Sequence, residues 1–204
     1  MLAMAESVMD AALHADAGNP SRREQILRAA AQLFAERGSR NVGVDDVGAA
    51  VGVTGPAIYR HFAGKDAMLA EMLLRISERL LAGGREVVAA AGADPAAQLG
   101  ALVDFQVDFA LDNPALITVQ DRDLGSLPDD DAAQVRRLQR RYVEVWVTVL
   151  ARLHPTADAE TCRARAHAVF GLINSTPHSA GRLDRPAMAA LLTGMAQAAA
   201  TSQA

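Results

Sequence analysis

Apolar residues recur at intervals of three and four along most of this 204-residue chain, the spacing that places them on one face of a helix. The first clear run begins after Ser21, where Glu24 completes a capping box, and it ends at Gly38. No alternating pattern of the kind that predicts a strand stands out. The sequence therefore predicts an all-α protein.

The same periodicity, with the glycines and prolines that interrupt it, predicts the remaining helices. Residues 1–19 are expected to form a poorly ordered or weakly helical arm. A long helix is predicted after Gly64, with a kink or an end at the glycine pair 83–84. The other predicted helices span 44–51, 54–62, 95–111, 114–123, 129–153, 157–177 and 186–201.

The stretch from residue 42 to residue 62 places two short helices around a tight turn at Gly52. This is the arrangement of a helix-turn-helix unit, whose second helix enters the major groove of DNA. Short helix pairs are common, so the spacing alone is weak evidence. The identities of the residues carry more weight.

Those identities resemble the DNA-binding signature of the TetR family of transcriptional regulators. The matched positions before the turn are Ile26, Leu27, Ala29, Ala30, Leu33, Phe34, Ala35, Glu36, Gly38, Val44 and Val47. Those from the turn onward are Gly52, Val53, Thr54, Ile58, Tyr59, His61, Phe62, Lys65, Asp66 and Leu69. The resemblance is not comparably specific in the C-terminal two-thirds of the chain.

The resemblance implies a three-helix helix-turn-helix DNA-binding domain over residues 20–66 and a helical ligand-binding and dimerisation domain over residues 67–204. It implies a transcriptional repressor that binds a palindromic operator as a homodimer. Two copies of the third helix would enter successive major grooves, ~34 Å apart. A small, largely apolar inducer would release the repressor from this double-stranded DNA.

Two other classes of function stay open, a TetR-like activator or protein-binding adaptor and an all-helical enzyme. Against an enzyme, the sequence lacks the Glu-x-x-His pair of helical di-metal sites. The single cysteine, Cys162, has no catalytic context and is expected to be a buried apolar residue. We therefore expect neither a cofactor nor a metal site.

Six polar residues of the motif are expected to contact DNA phosphates, which position a protein without reading its target sequence. The resemblance implies this role for Tyr59, His61 and Lys65, and the others are Thr54, Arg40 and Asn41. Arg40 and Asn41 are alternatively ordinary solvent-exposed residues. Thr54 is expected both to cap the third helix and to offer its hydroxyl to a phosphate.

Contacts with the bases are harder to assign, because Gly55, Pro56 and Ala57 lack side chains that form hydrogen bonds. We expect close approach of the backbone at Gly55 and apolar contact of Pro56 or Ala57 with thymine methyl groups. Arg60 is within reach of a guanine edge or of a phosphate, and both alternatives stay open.

Two glycines depart from the family pattern. Gly43 stands where serine or threonine often caps the second helix, and Gly48 stands where alanine is usual. Glycine in a helix interior costs up to ~1 kcal/mol relative to alanine. We therefore expect a more flexible second helix.

The last two predicted long helices, 157–177 and 186–201, are expected to form the dimer interface, an isologous contact. The candidate residues are Val169, Leu172, Ile173, Met188, Leu191, Leu192 and Met195, and each is alternatively part of the core of one chain. Polar residues on apolar faces are candidate ligand contacts or satisfied polar groups of the core. They are Gln106, Tyr142, Trp146, Asn174 and His178.

The formal net charge of −4 argues against a protein coated in basic residues for non-specific nucleic-acid binding. Residues 20–66 nevertheless carry seven Lys or Arg and five Asp or Glu, a net charge of +2. The polar segment 120–123 and the arginines at 136, 137, 140 and 141 are expected to form a salt-bridged surface. Alternatively, these arginines bind an anionic ligand tail, such as an acyl-CoA phosphate.

The N-terminus lacks the features of a signal peptide, and no apolar stretch approaches the ~18 residues of a membrane span. We therefore expect a soluble, cytoplasmic protein.

Overall fold

The computed structural model describes residues 21–179 and 183–202, and these form helices joined by turns, with no strand among them. The predicted all-α class is confirmed. The expected N-terminal arm, residues 1–19, lies outside the described residues.

The helices follow the apolar periodicity of the sequence closely, and most bounds agree with the predicted ones. In chain order they are α1 (Arg22–Arg37), α2 (Val44–Ala50), α3 (Gly55–Ile58), α4 (Lys65–Ala90), α5 (Pro95–Asp112), α6 (Pro114–Asp123), α7 (Asp129–Leu153), α8 (Ala159–Ile173), α9 (Thr176–Ser179) and α10 (Arg185–Thr201). Single turns of 3₁₀ helix lie at Ser39–Asn41 and Leu124–Ser126.

The predicted start and end of α1 are both present. Ser21 Oγ accepts a hydrogen bond from the Glu24 amide at 3.3 Å, and the Ser21 amide donates to Glu24 Oε2 at 2.7 Å. At the other end, Gly38 adopts a φ of 83°, which glycine reaches without strain. The capping box and the terminal glycine therefore fix the length of α1.

The contacts within the chain divide it into two units. The first contains the described residues up to 76 together with residues 115–136, and the second contains residues 77–114 and the described residues from 137 onward. In the first unit α2 packs against α1 and α3, and in the second unit α10 packs against α5 and α8. The predicted domain division between residues 66 and 67 stays a prediction.

The helix does not end at the glycine pair 83–84, because α4 continues to Ala90, and the alternative of a kink there stays a prediction. The glycines serve packing instead. A Cβ atom at Gly83 would overlap the ring of Phe105, and one at Gly84 would overlap the ring of Tyr142. The absence of side chains thus lets two aromatic rings lie directly against the α4 backbone.

The helix predicted over 157–177 is shorter than expected. It begins after Asp158, whose carboxylate accepts a hydrogen bond from the Thr161 amide at 2.7 Å, and ends at Ile173. Pro177 has no amide to continue the hydrogen-bond ladder, but it is compatible with the first turn of the new helix α9. Cys162 is fully buried in α8, as expected.

No helix in the described part of the chain combines the length and the apolar character needed to cross a membrane.

Candidate functional site

The turn between α2 and α3 has the geometry of a helix-turn-helix unit. Gly52 adopts a φ of 70°, and the Val53 amide donates to the carbonyl of Gly48 at 2.9 Å. Val47 on α2 and Ile58 on α3 are fully buried. The turn and the apolar contacts therefore hold the two short helices at a fixed angle.

Each of the two unusual glycines of α2 has a structural role, and the expected flexibility of this helix stays a prediction. A Cβ atom at Gly48 would lie 2.8 Å from the carbonyl oxygen of Val53, so the close turn requires glycine there. The Gly43 amide donates to Asp46 Oδ2 at 2.7 Å, which satisfies a backbone donor at the start of α2.

The start of α3 also differs from the expectation. Thr54 precedes the helix but forms no capping hydrogen bond through its side chain, and the helix ends at Ile58 rather than at residue 62. Gly55 is buried, and a Cβ atom there would overlap the Asp45 carboxylate. Glycine at this position thus makes room for Asp45, and the expected approach of this backbone to DNA stays a prediction.

The chain after Ile58 continues as a turn whose apolar ends are buried and whose polar middle is exposed. The Phe62 amide donates to the Ile58 carbonyl at 3.0 Å, and both of these side chains are buried. Between them, Arg60 and His61 are exposed, and the Tyr59 side chain is 57% exposed. An apolar anchor at each end therefore presents three polar side chains to solvent.

The basic residues of this unit divide into two groups. Within the described residues, the guanidinium groups of Arg40 and Arg60 form no hydrogen bond or ion pair. Arg23, in contrast, pairs with Glu71 at 2.5 Å and lies 4.1 Å from the centre of the Phe62 ring. The first group is available to an anionic partner, whereas Arg23 joins α1 to α4.

Two residues that the sequence assigned to phosphate contacts have intramolecular partners. Lys65 Nζ donates to the carbonyls of Ser39 and Arg40 at 3.0 and 3.3 Å. Asn41 Nδ2 donates to the carbonyl of Arg37 at 2.7 Å, which satisfies a carbonyl in the last turn of α1. Both residues therefore stabilise the turn that carries Arg40.

Of the two residues expected to contact thymine methyl groups, Pro56 is exposed and Ala57 is half-buried.

The expected salt-bridged surface between segment 120–123 and the four arginines of α7 is wrong. Arg136, Arg137, Arg140 and Arg141 are exposed and form no ion pair or hydrogen bond with any described residue. Arg122 bonds to the end of α1 instead, through the carbonyls of Phe34 and Ala35. The sequence carried no signal for this contact, because Arg122 and Phe34 are 88 residues apart in the chain.

In the second unit, three of the predicted ligand-contact residues form a hydrogen-bond chain. The Tyr142 hydroxyl donates to Gln106 Oε1 at 2.9 Å, and Gln106 Nε2 donates to Asn174 Oδ1 at 3.1 Å. Burial raises the pKa of Tyr142 above its ordinary range, so the phenol stays protonated as a donor. The three side chains therefore form one continuous hydrogen-bond chain from α7 through α5 to the end of α8.

Aromatic rings pack beside the hydrogen-bond chain of Tyr142, Gln106 and Asn174. Phe170 stacks on Tyr142 with 5.7 Å between ring centres and packs edge-on against Trp146 at 4.9 Å. Trp146 is fully buried, whereas His178 is exposed on the separate helix α9. Asn174 lies at the end of α8, so it and His178 do not share one helix as predicted.

The candidate dimer residues separate into core and surface. Val169, Ile173, Met188 and Leu192 are buried within one chain, so their assignment to an interface is wrong. Leu191 and Met195 are 47% and 49% exposed, and Leu172 is half-buried.

Family models match both parts of the chain. Residues 26–72 match the model described as bacterial regulatory proteins of the tetR family. Residues 92–199 match the tetracyclin repressor-like C-terminal domain. The second match alone spans more than half of the chain, so the protein belongs to the TetR family, as its N-terminal motif indicated.

Similar proteins of known name include the transcriptional repressor KstR2 of Rhodococcus jostii. The two are 34% identical over 135 residues, a match that spans 65% of each chain. The structure of the ketosteroid transcriptional regulator KstR2 of Mycobacterium tuberculosis superposes with a TM-score of 0.77 at 21% identity, covering 93% of this chain and 100% of that chain. AibR, crystallised with isovaleryl coenzyme A and operator DNA, superposes with a TM-score of 0.70 at 17% identity, covering 86% of this chain and 97% of that chain.

At these identities the two superpositions show the fold alone.

Proposed function

We propose that this protein is a cytoplasmic, DNA-binding transcriptional repressor that acts as a homodimer and is released from its operator by a small molecule. The proposal rests on the TetR membership of the chain and on the exposed side chains of the helix-turn-helix unit. Activation of transcription is the alternative outcome for the same DNA-binding protein.

One observation carries the proposal. Tyr59, Arg60 and His61 are exposed between the buried side chains of Ile58 and Phe62. Phosphate contacts require donors held in place by a rigid framework. The buried pair supplies that framework, and the exposed trio supplies a phenol, a guanidinium and an imidazole.

Binding to selected DNA tests this proposal. Duplexes enriched from a random pool by the purified protein would be titrated by fluorescence anisotropy between 50 and 200 mM salt. We expect saturable binding whose affinity falls steeply with salt, because bound phosphates release counterions. Failure to enrich any sequence, or binding that is independent of salt, would refute DNA recognition.

A dimer through α8 and α10 belongs to the same proposal, because both helices present small or apolar residues to solvent. On α10 these exposed residues are Ala187, Ala190, Leu191, Gly194, Met195 and Ala198. On α8 they are Ala164, Ala168 and Gly171. Positions spaced by three, four and seven residues lie on one face of a helix, so each helix carries a continuous stripe suited to a helix partner.

We further propose an inducer that binds in the second unit beside Gln106, Tyr142, Trp146 and Asn174, with His178 as a further candidate contact. A largely apolar molecule with a polar group suits an environment of buried aromatic rings and one amide–phenol chain. Polar groups of the inducer would exchange hydrogen bonds with Gln106 and Asn174.

The four arginines of α7, which form no ion pair with any described residue, favour an inducer with an anionic tail, and AibR was crystallised with isovaleryl coenzyme A. Isovaleryl coenzyme A and free coenzyme A would serve as probes in release assays on the selected duplex. Release by isovaleryl coenzyme A that is lost in the variant Arg137→Ala with Arg141→Ala would support the anionic tail. Equal release from both proteins would contradict it.

A further inference from the structure

The last turn of α1 is bound by an arginine from α6. Arg122 Nη2 donates to the carbonyl of Phe34, and Nη1 donates to the carbonyl of Ala35 at 3.3 Å. The Phe34 carbonyl also accepts a hydrogen bond from the Gly38 amide at 2.8 Å, and the carbonyls of a last helical turn carry the negative end of the helix dipole. A guanidinium is well suited to this place, because it supplies positive charge and a planar fork of donors.

Asp123 fixes the orientation of that guanidinium. Its Oδ2 lies 3.0 Å from Arg122 Nη2, and its side chain is only 5% exposed. A buried carboxylate without its cation would be costly, so the pair favours one arrangement of both side chains. Arg122 is therefore held from two sides, by its neighbour and by α1.

The contact continues into the turn that carries Arg40. Gly38, at the end of α1, lies against the guanidinium: a Cβ built on this glycine would be 3.8 Å from Arg122 Cζ. The turn Ser39–Asn41 follows directly, and Lys65 Nζ binds the carbonyls of Ser39 and Arg40. Two cations thus fix the backbone on either side of Gly38.

The sequence position of Arg122 makes this contact informative. Arg122 lies within residues 92–199, which match the C-terminal family domain, yet its contacts belong to the unit that contains the helix-turn-helix. A residue of the C-terminal sequence region therefore helps to build the DNA-binding unit.

We propose that Arg122 is a positioning residue for DNA binding, which sets the place of Arg40 through the end of α1. The inference rests on the proposed DNA-binding function. Loss of the guanidinium would release the last turn of α1 and let the Arg40 backbone move away from its phosphate contact.

The variant Arg122→Met keeps the length of the side chain and removes its charge and donors. On the selected duplex we expect affinity to fall by about tenfold or more, the scale of one charge-assisted hydrogen bond. Arg75→Met is the matched control, because Arg75 also lies in the first unit, pairs with Glu71 at 2.7 Å and is similarly exposed. It should bind DNA as the parent protein does.

A double-mutant cycle separates positioning from general loss of stability. If Arg122 acts through Arg40, adding Arg122→Met to Arg40→Ala should weaken binding little further. The inference would be overturned if the double variant lost affinity by the product of the two single-variant factors, or if Arg122→Met bound DNA with unchanged affinity. If Arg122→Met fails to fold, Arg122→Lys takes its place in the cycle. A parent protein that enriches no DNA would refute the proposed function rather than this inference.

Discussion

At the scale of single residues, exposure separates the candidate DNA contacts from the residues that support them. Tyr59 is 57% exposed, whereas Lys65 holds two backbone carbonyls of the Ser39–Asn41 turn. Both are polar residues of one motif, and both are predicted from the sequence to contact phosphates. The carbonyls that Lys65 binds belong to residues about twenty-five positions earlier in the chain, so a local pattern cannot predict this contact.

Replacing each of these residues by alanine should therefore have different consequences. Tyr59→Ala should weaken operator binding with little change in its salt slope, because a neutral phenol displaces no counterion, while the free energy of unfolding changes by less than about 0.5 kcal/mol. Lys65→Ala should lower both affinity and stability, since two carbonyls lose their donor. Anisotropy titrations and urea unfolding measure the two quantities; equal loss of stability in both variants would contradict the assignment.

Gly48 gives a second prediction at this scale. A Cβ atom there would meet the backbone carbonyl of Val53 at 2.8 Å, and a backbone atom cannot rotate away. Gly48→Ala should lower the free energy of unfolding by about 1–3 kcal/mol, the usual effect of overpacking. The matched control is Gly64→Ala, where the added Cβ has no neighbour within 4 Å. A Gly48→Ala variant as stable as the parent protein would contradict this explanation.

At the scale of helices, local sequence rules worked where local interactions decide the boundary. The capping residues Ser21 and Gly38 fixed α1, and the predicted bounds of α7, 129–153, are those observed. They failed at the glycine pair 83–84, where α4 does not end. Packing explains these glycines instead, because Gly83 leaves room for the ring of Phe105 and Gly84 for that of Tyr142. The hydrogen-bond chain from Tyr142 through Gln106 was likewise not predictable, although burial of both residues was.

The capping box of α1 provides the prediction at this scale. Ser21→Ala removes the acceptor for the Glu24 amide and should lower the free energy of unfolding by about 1 kcal/mol. Glu24→Gln keeps the reciprocal hydrogen bond and should change stability much less. Chemical denaturation of the three proteins measures the effect, and a larger loss in Glu24→Gln than in Ser21→Ala would argue against the box.

At the scale of the whole molecule, the exposed stripes on α8 and α10 are the contact surface of the proposed dimer. Acidic substitutions at Leu191 and Met195 together should convert a dimer into a monomer of 21.5 kDa, because charge cannot be buried in an apolar contact. Ala133→Glu on the exposed face of α7 is the control and should leave the dimer intact. Light scattering after size exclusion reports the mass, and a double variant that remains dimeric would place the interface elsewhere.

The burial of Cys162 makes the chain a ready platform for distance measurements by pulsed electron paramagnetic resonance. It is the single cysteine of the sequence, and none of its surface reaches solvent. A thiol-reactive nitroxide would therefore leave the folded parent protein unlabelled. Ala63→Cys, at an exposed position after α3, would give one spin label per protomer. In the proposed dimer, the distance between the two labels would report the spacing of the two α3 helices as an inducer is added, without any DNA present.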